Sequence, residues 1–207
     1  MKKLLIVFGG PDGAGKTTLS ILLSIYFRRK KMKVKIVRIR GTHTLAYIFM
    51  TFLKKVTSSA GDDLHYYRFR IPEKARSLWV LIELVSIILL IFLYYYVYRV
   101  IYDVVISERG PLDFAVWVLT GVKPKPTSLS TKIFLVLVQT FILYFKTIYI
   151  VANKEKLLKR KQEETTLITA MYSLYNLLAS LLSLPRIDTT HLHPLQTLNR
   201  VLETLRS

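Results

Sequence analysis

The chain has 207 residues, no cysteine and a formal net charge of +18. The length suits one α/β domain, residues 1–207, and the lack of cysteine excludes a disulfide framework, cysteine metal sites and thiol catalysis. The positive charge predicts an anionic partner, which could be a nucleotide, a nucleic acid or an anionic lipid.

The first elements are a strand, a glycine-rich turn and a helix. Residues 4–8 are apolar and predict a buried strand, and residues 19–27 predict a helix. The turn between them fits the phosphate-binding pattern G-x-x-x-x-G-K-[ST]. Its residues are Gly10, Pro11, Asp12, Gly13, Ala14, Gly15, Lys16, Thr17 and Thr18.

The chemistry of this loop predicts binding of a nucleoside triphosphate. Successive backbone N–H groups can point at a phosphate, and the helix N-terminus adds partial positive charge. Lys16 can reach the β- and γ-phosphates, and the hydroxyl of Thr17 can bind Mg²⁺.

The next elements are a strand at 33–40, an apolar helix at 45–56 and a polar loop at 57–63, with Pro72 predicted to open another helix. Two runs without charge follow, 84–98 and 133–145. Helices that cover a parallel sheet are also apolar, and a membrane span between two strands would divide the sheet. Burial in the core or in a dimer interface is therefore preferred to membrane contact.

The second half of the chain alternates strands and helices. Strands are predicted at 103–107, 147–152 and 186–188, and helices at 111–119, from 154 to about 184, and at 194–205. The last helix carries Leu195, Leu198, Val201, Leu202 and Leu205 on one predicted apolar face. The pattern predicts a three-layer α/β fold, in which a parallel sheet of about five strands is doubly wound and a helical segment forms a lid.

The later motifs argue against a switch GTPase. Residues 153–156 begin like the guanine-reading N-K-x-D motif, but Lys156 stands where the aspartate should be. The sole D-x-x-G sequence runs from Asp12 to Gly15, inside the phosphate loop itself.

Instead, residues 3–205 resemble the thymidylate kinase family of nucleoside monophosphate kinases and, more loosely, the deoxynucleoside kinases. The loop sequence from Asp12 to Thr18 is typical of that family. Strand 104–107 ends in Glu108-Arg109, which looks like the Asp-Arg of the family or the Glu-Arg of deoxynucleoside kinases. The basic segment after strand 148–151 resembles the lid, here 153–166, and 186–205 resembles the terminal strand and helix.

Roles for individual residues follow from the chemistry of phosphoryl transfer and from this resemblance. The loop and Lys16 would hold ATP, Thr17 and Glu108 would hold Mg²⁺, and Arg109 would grip a phosphate. The resemblance implies that the lid supplies a catalytic arginine, best matched by Arg160, and that Asp12 meets the acceptor sugar.

The acceptor side departs from the family. Residues 38–41, Arg-Ile-Arg-Gly, keep a basic residue and the glycine but lose a glutamate, and 82–89 lack the arginine and glutamine that hold the acceptor nucleotide. Basic residues that could bind the acceptor instead are Arg38, Arg40, Arg70 and Arg76.

Three functions remain open at this point. The preferred one is an ATP-dependent kinase of a nucleoside monophosphate, with dTMP as the family default. The others are a kinase or ATPase with a non-nucleotide, lipidic acceptor, and a non-catalytic protein that binds nucleoside triphosphates and nucleic acid. A homodimer through the apolar helices and a cytoplasmic location are also expected, with association with a membrane as the alternative location. Contact with an anionic membrane or with nucleic acid is not the preferred interpretation.

Overall fold

The computed structural model describes residues 3–39, 45–49, 51, 71–160 and 165–206, with the backbone alone at 159, 160 and 165–168. Five parallel strands form one sheet in the order β2-β3-β1-β4-β5. They are β1 (Leu4–Gly9), β2 (Val34–Val37), β3 (Val104–Ser107), β4 (Ile148–Val151) and β5 (Arg186–Asp188). The predicted parallel sheet is confirmed.

Helices join the strands and cover both faces of the sheet. Their bounds are α1 (Lys16–Arg29), α2 (Arg76–Ile91), α3 (Pro111–Gly121), α4 (Leu129–Tyr144), α5 (Lys154–Arg160), α6 (Thr165–Leu181) and α7 (Pro194–Thr204). Residues 45–49 are also helical. The rest of the predicted helix 45–56, the predicted loop 57–63 and residues 161–164 of the predicted lid lie outside the described residues.

Alternate residues of the central strand supply two separate cores. Ile6 and Phe8 pack in a cluster with α1 and α7, whereas Val7 packs in a cluster with α2, α3, α4 and α6. Because successive side chains of a strand point to opposite faces, one apolar strand serves both layers. The result is the predicted three-layer arrangement.

The helix that precedes β3 is unusually long. A 3-10 turn (Glu73–Ala75) leads into α2, which continues through a π-helical segment (Phe92–Val97) and a last α-helical turn (Tyr98–Ile101). This long helix, Glu73–Ile101, has a mean hydropathy of 2.5 and is long and apolar enough to cross a membrane, but 44% of its most apolar window is buried in the protein. The predicted burial therefore applies to one side of the helix.

Two details refine the sequence analysis. Strand β2 ends at Val37 rather than continuing to residue 40. Leu195 was expected on the apolar face of the last helix, and on that face its side chain is 56% exposed, whereas Leu198 and Val201 are buried. Leu195 is the second residue of α7. The predicted face is therefore covered by the core from Leu198 onward, and its first residue lies beyond the edge of the core.

Candidate active site

The shape of the phosphate loop depends on glycine at position 10, where the backbone has a positive φ and lies close to a neighbouring strand. Gly10 has φ +146°, and a Cβ atom there would lie 2.0 Å from the carbonyl oxygen of Ile150 in β4. Any other residue would push the loop away from the neighbouring strand. Gly15, with φ +90°, caps α1, so the backbone turns directly from the loop into the helix. The loop therefore ends at a helix N-terminus, where phosphate binding is favourable.

Lys16 is folded back onto the loop. Its ammonium donates to the carbonyl oxygen of Pro11 at 2.9 Å and to that of Gly10, and lies 3.9 Å from Oδ1 of Asp113. Burial lowers the pKa of Lys16, and the nearby carboxylate of Asp113 acts in the opposite direction. The ammonium is thus held at the base of the loop, within a cluster of oxygen acceptors.

Two adjacent strands bring an acidic and a basic side chain to Thr17. Glu108 follows β3 and Arg38 follows β2, and these strands are paired in parallel, so both residues reach the same edge of the sheet. Oε2 of Glu108 accepts hydrogen bonds from the Thr17 hydroxyl at 3.2 Å and from Nε of Arg38 at 2.5 Å. The hydroxyl also accepts from Nη2 of Arg38 at 3.0 Å. The three side chains form one contact network.

A second ion pair connects the loop with β3. The guanidinium of Arg109 donates to Oδ1 of Asp12 and lies over the ring of Trp117, 5.2 Å from its centre. Stacking on an aromatic face leaves the planar guanidinium free to bind an anion edge-on. The predicted residues Asp12 and Arg109 therefore contact each other at the same edge of the sheet as Lys16.

The sequence analysis missed Asp113, which is 1% exposed and lies behind the loop. Its carboxylate accepts from the backbone N–H of Gly110 at 3.2 Å, from that of Gly10 at 3.4 Å and from the hydroxyl of Tyr175 at 3.0 Å. Burial raises the pKa of Asp113, while Lys16 and Arg109 act against that rise. Its sequence signal was a carboxylate three residues after the helix cap at Gly110, a common capping position.

A cavity of about 550 Å³ opens in front of these residues. Its charged lining consists of four basic side chains and two carboxylates: Lys16, Arg38, Arg109, Lys156, Asp12 and Glu108. Its other wall is mainly apolar and comes from α1, from the segment after β5 and from the start of α7: Leu19, Leu22, Thr189, Leu192, Pro194 and Thr197. Lys156, one of the four basic residues, donates to the carbonyl oxygen of Thr190, so basic and apolar lining residues lie side by side after β5. The apolar wall was missed because no motif marks the residues after β5.

The structure does not gather all the predicted residues. Arg76 lies at the start of the long helix, where it donates to the carbonyl oxygen of Lys123 at 3.2 Å, and it does not line this cavity. Arg40 and Arg70 lie outside the described residues. Arg160 is the last residue of α5, and its side chain is not among those described. Its predicted role in the lid stays a prediction.

Among known proteins, solved structures are similar to this chain, whereas the two sequence comparisons find no match. No protein-family model matches the chain, and no curated protein matches its sequence. The chain is similar to thymidylate kinase from Ehrlichia chaffeensis, with a TM-score of 0.57, 16% identity and 100% of both chains covered.

It is also similar to two structures of deoxyadenosine kinase from M. mycoides. The one with bound dATP has a TM-score of 0.57, 12% identity and coverage of 99% of this chain and 100% of that one. The one with bound dCTP has a TM-score of 0.53, 11% identity and coverage of 98% and 99%. The chain therefore has the phosphate-loop kinase fold that is found in thymidylate kinase and deoxynucleoside kinase structures.

Proposed function

We propose that this chain is an ATP-dependent phosphotransferase that acts on a nucleoside monophosphate, with dTMP as the default acceptor. One observation carries the proposal. Lys16 and Thr17 of the phosphate loop and Glu108 and Arg109 of the neighbouring strand end meet around one basic cavity. A ligand-free glycine turn would not need a buried lysine, a carboxylate and an arginine at the same edge of the sheet. Ligands of open parallel sheets bind at the carboxyl ends of the strands.

The cavity provides what transfer of a phosphoryl group requires. This reaction needs alignment and neutralisation of charge more than covalent chemistry. On binding, the phosphates of ATP would exchange the carbonyl contacts of Lys16 for contacts with phosphate oxygens. Arg109 faces the same cavity and would stabilise the charge that develops on the transferred group. The apolar wall at Leu192 and Pro194 would receive the base of ATP.

The residues present fit a magnesium ion. Mg²⁺ is usually held by one or two carboxylates together with hydroxyl, water and substrate phosphate oxygens. Thr17 and Glu108 supply a hydroxyl and a carboxylate whose oxygens lie 3.2 Å apart. Arg38 now donates to both oxygens, so Mg²⁺ would displace its guanidinium from them. Within the described part of the chain no group of three His, Asp or Glu side chains could hold a metal ion, and a site shared with ATP does not require one. When bound, Mg²⁺ would neutralise phosphate charge.

The acceptor would lie on the side of Arg38, Asp12 and Arg109. Arg38 lines the cavity, and once released from Glu108 by Mg²⁺ its guanidinium would be available to an acceptor phosphate. The helix segment 82–89 has no arginine or glutamine. This difference favours a second candidate function, a kinase whose acceptor is not a nucleotide. The identity of the acceptor and a cytoplasmic location remain predictions.

The proposal is tested by measuring ADP release from ATP with a panel of nucleoside monophosphates and nucleosides. We expect one monophosphate, dTMP first, to stimulate ADP release, and Lys16→Ala to abolish the stimulated rate. Stimulation by nucleosides alone would reassign the acceptor to an unphosphorylated nucleoside. ATP binding without stimulation by any member of the panel would refute a nucleotide kinase and leave the non-nucleotide acceptor.

A further inference from the structure

The guanidinium of Arg38 lies against both of the oxygens that fit a magnesium ion. Nε of Arg38 donates to Oε2 of Glu108 at 2.5 Å. Nη2 donates to the same oxygen and, at 3.0 Å, to the hydroxyl of Thr17. Because the Thr17 and Glu108 oxygens are only 3.2 Å apart, one cationic group contacts both at once. Arg38 therefore supplies positive charge at the pair of oxygens proposed for the metal.

Each of the three carboxylates around the phosphate loop has a basic neighbour. The pairs are Asp12 with Arg109, Asp113 with Lys16, and Glu108 with Arg38. The side chain of Glu108 is only 8% exposed, and a buried carboxylate without a compensating positive charge is costly. The other two basic groups already lie beside carboxylates. When Arg38 leaves Glu108, another cation therefore has to take its place.

The two members of this ion pair differ in their freedom to move. The backbone N–H of Glu108 donates to the carbonyl oxygen of Val37 at 2.9 Å, and its side chain is buried. Arg38 follows β2, an edge strand of the sheet, and its side chain is 28% exposed and lines the cavity. The arginine side chain is long and stays charged. It can leave its present contacts without disturbing a strand, whereas Glu108 stays in place.

Mg²⁺ and the guanidinium cannot both hold these two oxygens. Mg²⁺ binds its oxygen ligands at about 2.0–2.1 Å and would take the lone pairs that now accept from Arg38. Two positive groups at the same oxygens would also repel each other. Binding of the metal therefore moves the guanidinium outward, into the cavity that Arg38 already lines.

We propose that Arg38 couples the metal site to the acceptor site by exchanging one anionic partner for another. It competes with divalent cations for Thr17 and Glu108 until Mg²⁺ arrives with ATP, and the exchange delivers its guanidinium to the phosphate of the acceptor. Metal and acceptor phosphate therefore strengthen each other's binding, since coupling between two sites is reciprocal. The inference rests on the proposed function and adds to it a dependence of acceptor binding on the metal.

The competition can be measured without turnover. The probe is Mn²⁺, followed by electron paramagnetic resonance as it binds the full chain in complex with AMPPNP, an ATP analogue that does not transfer its terminal phosphate. Arg38→Met removes the competitor, so we expect it to bind Mn²⁺ about tenfold more tightly than the unaltered protein. The matched comparison is Arg109→Met, which removes the same charge from the same cavity but a donor to Asp12 instead of Glu108. Its gain in affinity should be much smaller, and circular dichroism should show both variants folded.

A second measurement uses the unaltered protein and the acceptor. The monophosphate that stimulates ADP release should tighten Mn²⁺ binding by the unaltered AMPPNP complex about fivefold or more, because it holds Arg38 away from the metal ligands. The same monophosphate should leave the Mn²⁺ affinity of Arg38→Met unchanged.

Three results would overturn the coupling. Equal gains for Arg38→Met and Arg109→Met would mean that the loss of positive charge alone attracts the metal. Unchanged or weaker Mn²⁺ binding by Arg38→Met would mean that Arg38 holds Glu108 in place and does not compete. An equal effect of the monophosphate with and without Arg38 would separate the two sites. A chain that does not bind AMPPNP would instead refute the proposed function, so the two failures can be told apart.

Discussion

Two stacked tyrosines allow a direct test of the buried carboxylate behind the phosphate loop. The rings of Tyr149 and Tyr175 are nearly parallel, with centres 6.4 Å apart. Each hydroxyl donates one hydrogen bond of 3.0 Å, from Tyr175 to Asp113 and from Tyr149 to the side-chain amide oxygen of Asn176. The same substitution, tyrosine to phenylalanine, therefore removes a bond to an acidic group in one case and to a neutral group in the other.

The two losses should differ in size. A hydrogen bond to a charged group contributes about 1.5–3 kcal/mol, and one between neutral groups about 1 kcal/mol. We expect Tyr175→Phe to lower the free energy of unfolding by about 2–3 kcal/mol and Tyr149→Phe by about 1 kcal/mol. In a chain of this size 1 kcal/mol corresponds to about 2–4 °C in Tm, so the two variants should be separated clearly.

Urea unfolding followed by circular dichroism, at neutral and at acidic pH, provides the measurement. Burial raises the pKa of Asp113, so its carboxylate should be protonated at a higher pH than that of an ordinary aspartate. The bond from Tyr175 favours the ionised form, and its contribution falls when Asp113 is protonated. The gap between the two variants should therefore shrink in acid. Equal losses at neutral pH would refute a charged Asp113.

Three further predictions concern the same site. Gly10→Ala should destabilise the fold and abolish ATP binding, because the Cβ atom of the alanine would lie 2.0 Å from the carbonyl oxygen of Ile150. The Cβ atom of Gly15→Ala would meet no atom within 4 Å, so this variant should lower the free energy of unfolding in urea by only about 1–2 kcal/mol. Asp113→Asn removes a carboxyl group whose pKa is raised on folding. The free energy of unfolding of this variant, relative to that of the unaltered protein, should therefore rise as the pH increases from about 4, and a fall would contradict the prediction. Glu108→Gln should raise the Mg²⁺ concentration needed for half-maximal ADP release by about tenfold, and an unchanged requirement would remove Glu108 from the metal site.

The sequence was informative where function depends on neighbours in the chain. The loop around Lys16 is recognisable because strand, glycines, lysine and helix follow one another within about 20 residues. Glu108 and Arg109 could be placed because they directly follow an apolar strand, and parallel strands end at one edge of a sheet. The confirmed order of strands and helices rests on the same local alternation.

Residues that act through the tertiary fold were not predictable in this way. Asp113 is a helix-capping carboxylate by sequence, and its contact with Gly10 exists because β1 and β3 are paired. Tyr175 reaches Asp113 from a helix 62 positions later. The apolar run at 84–98 gave the composition of the long helix but not which side faces outward, since its period is interrupted by the π-helical segment.

The position of β1 in the middle of the sheet also constrains how the chain folds. Its residues pair with β3 from Val104 and with β4 from Ile148, so about 100 further residues must be synthesised before the first partner exists. At about 5–20 residues per second, a fully apolar segment would wait on the ribosome for about 5–20 s without a strand beside it. Helix α1 is the next element in the chain, and its apolar residues pack against Ile6 and Phe8 of β1. Folding of the nascent chain should therefore begin with β1 and α1 as a unit.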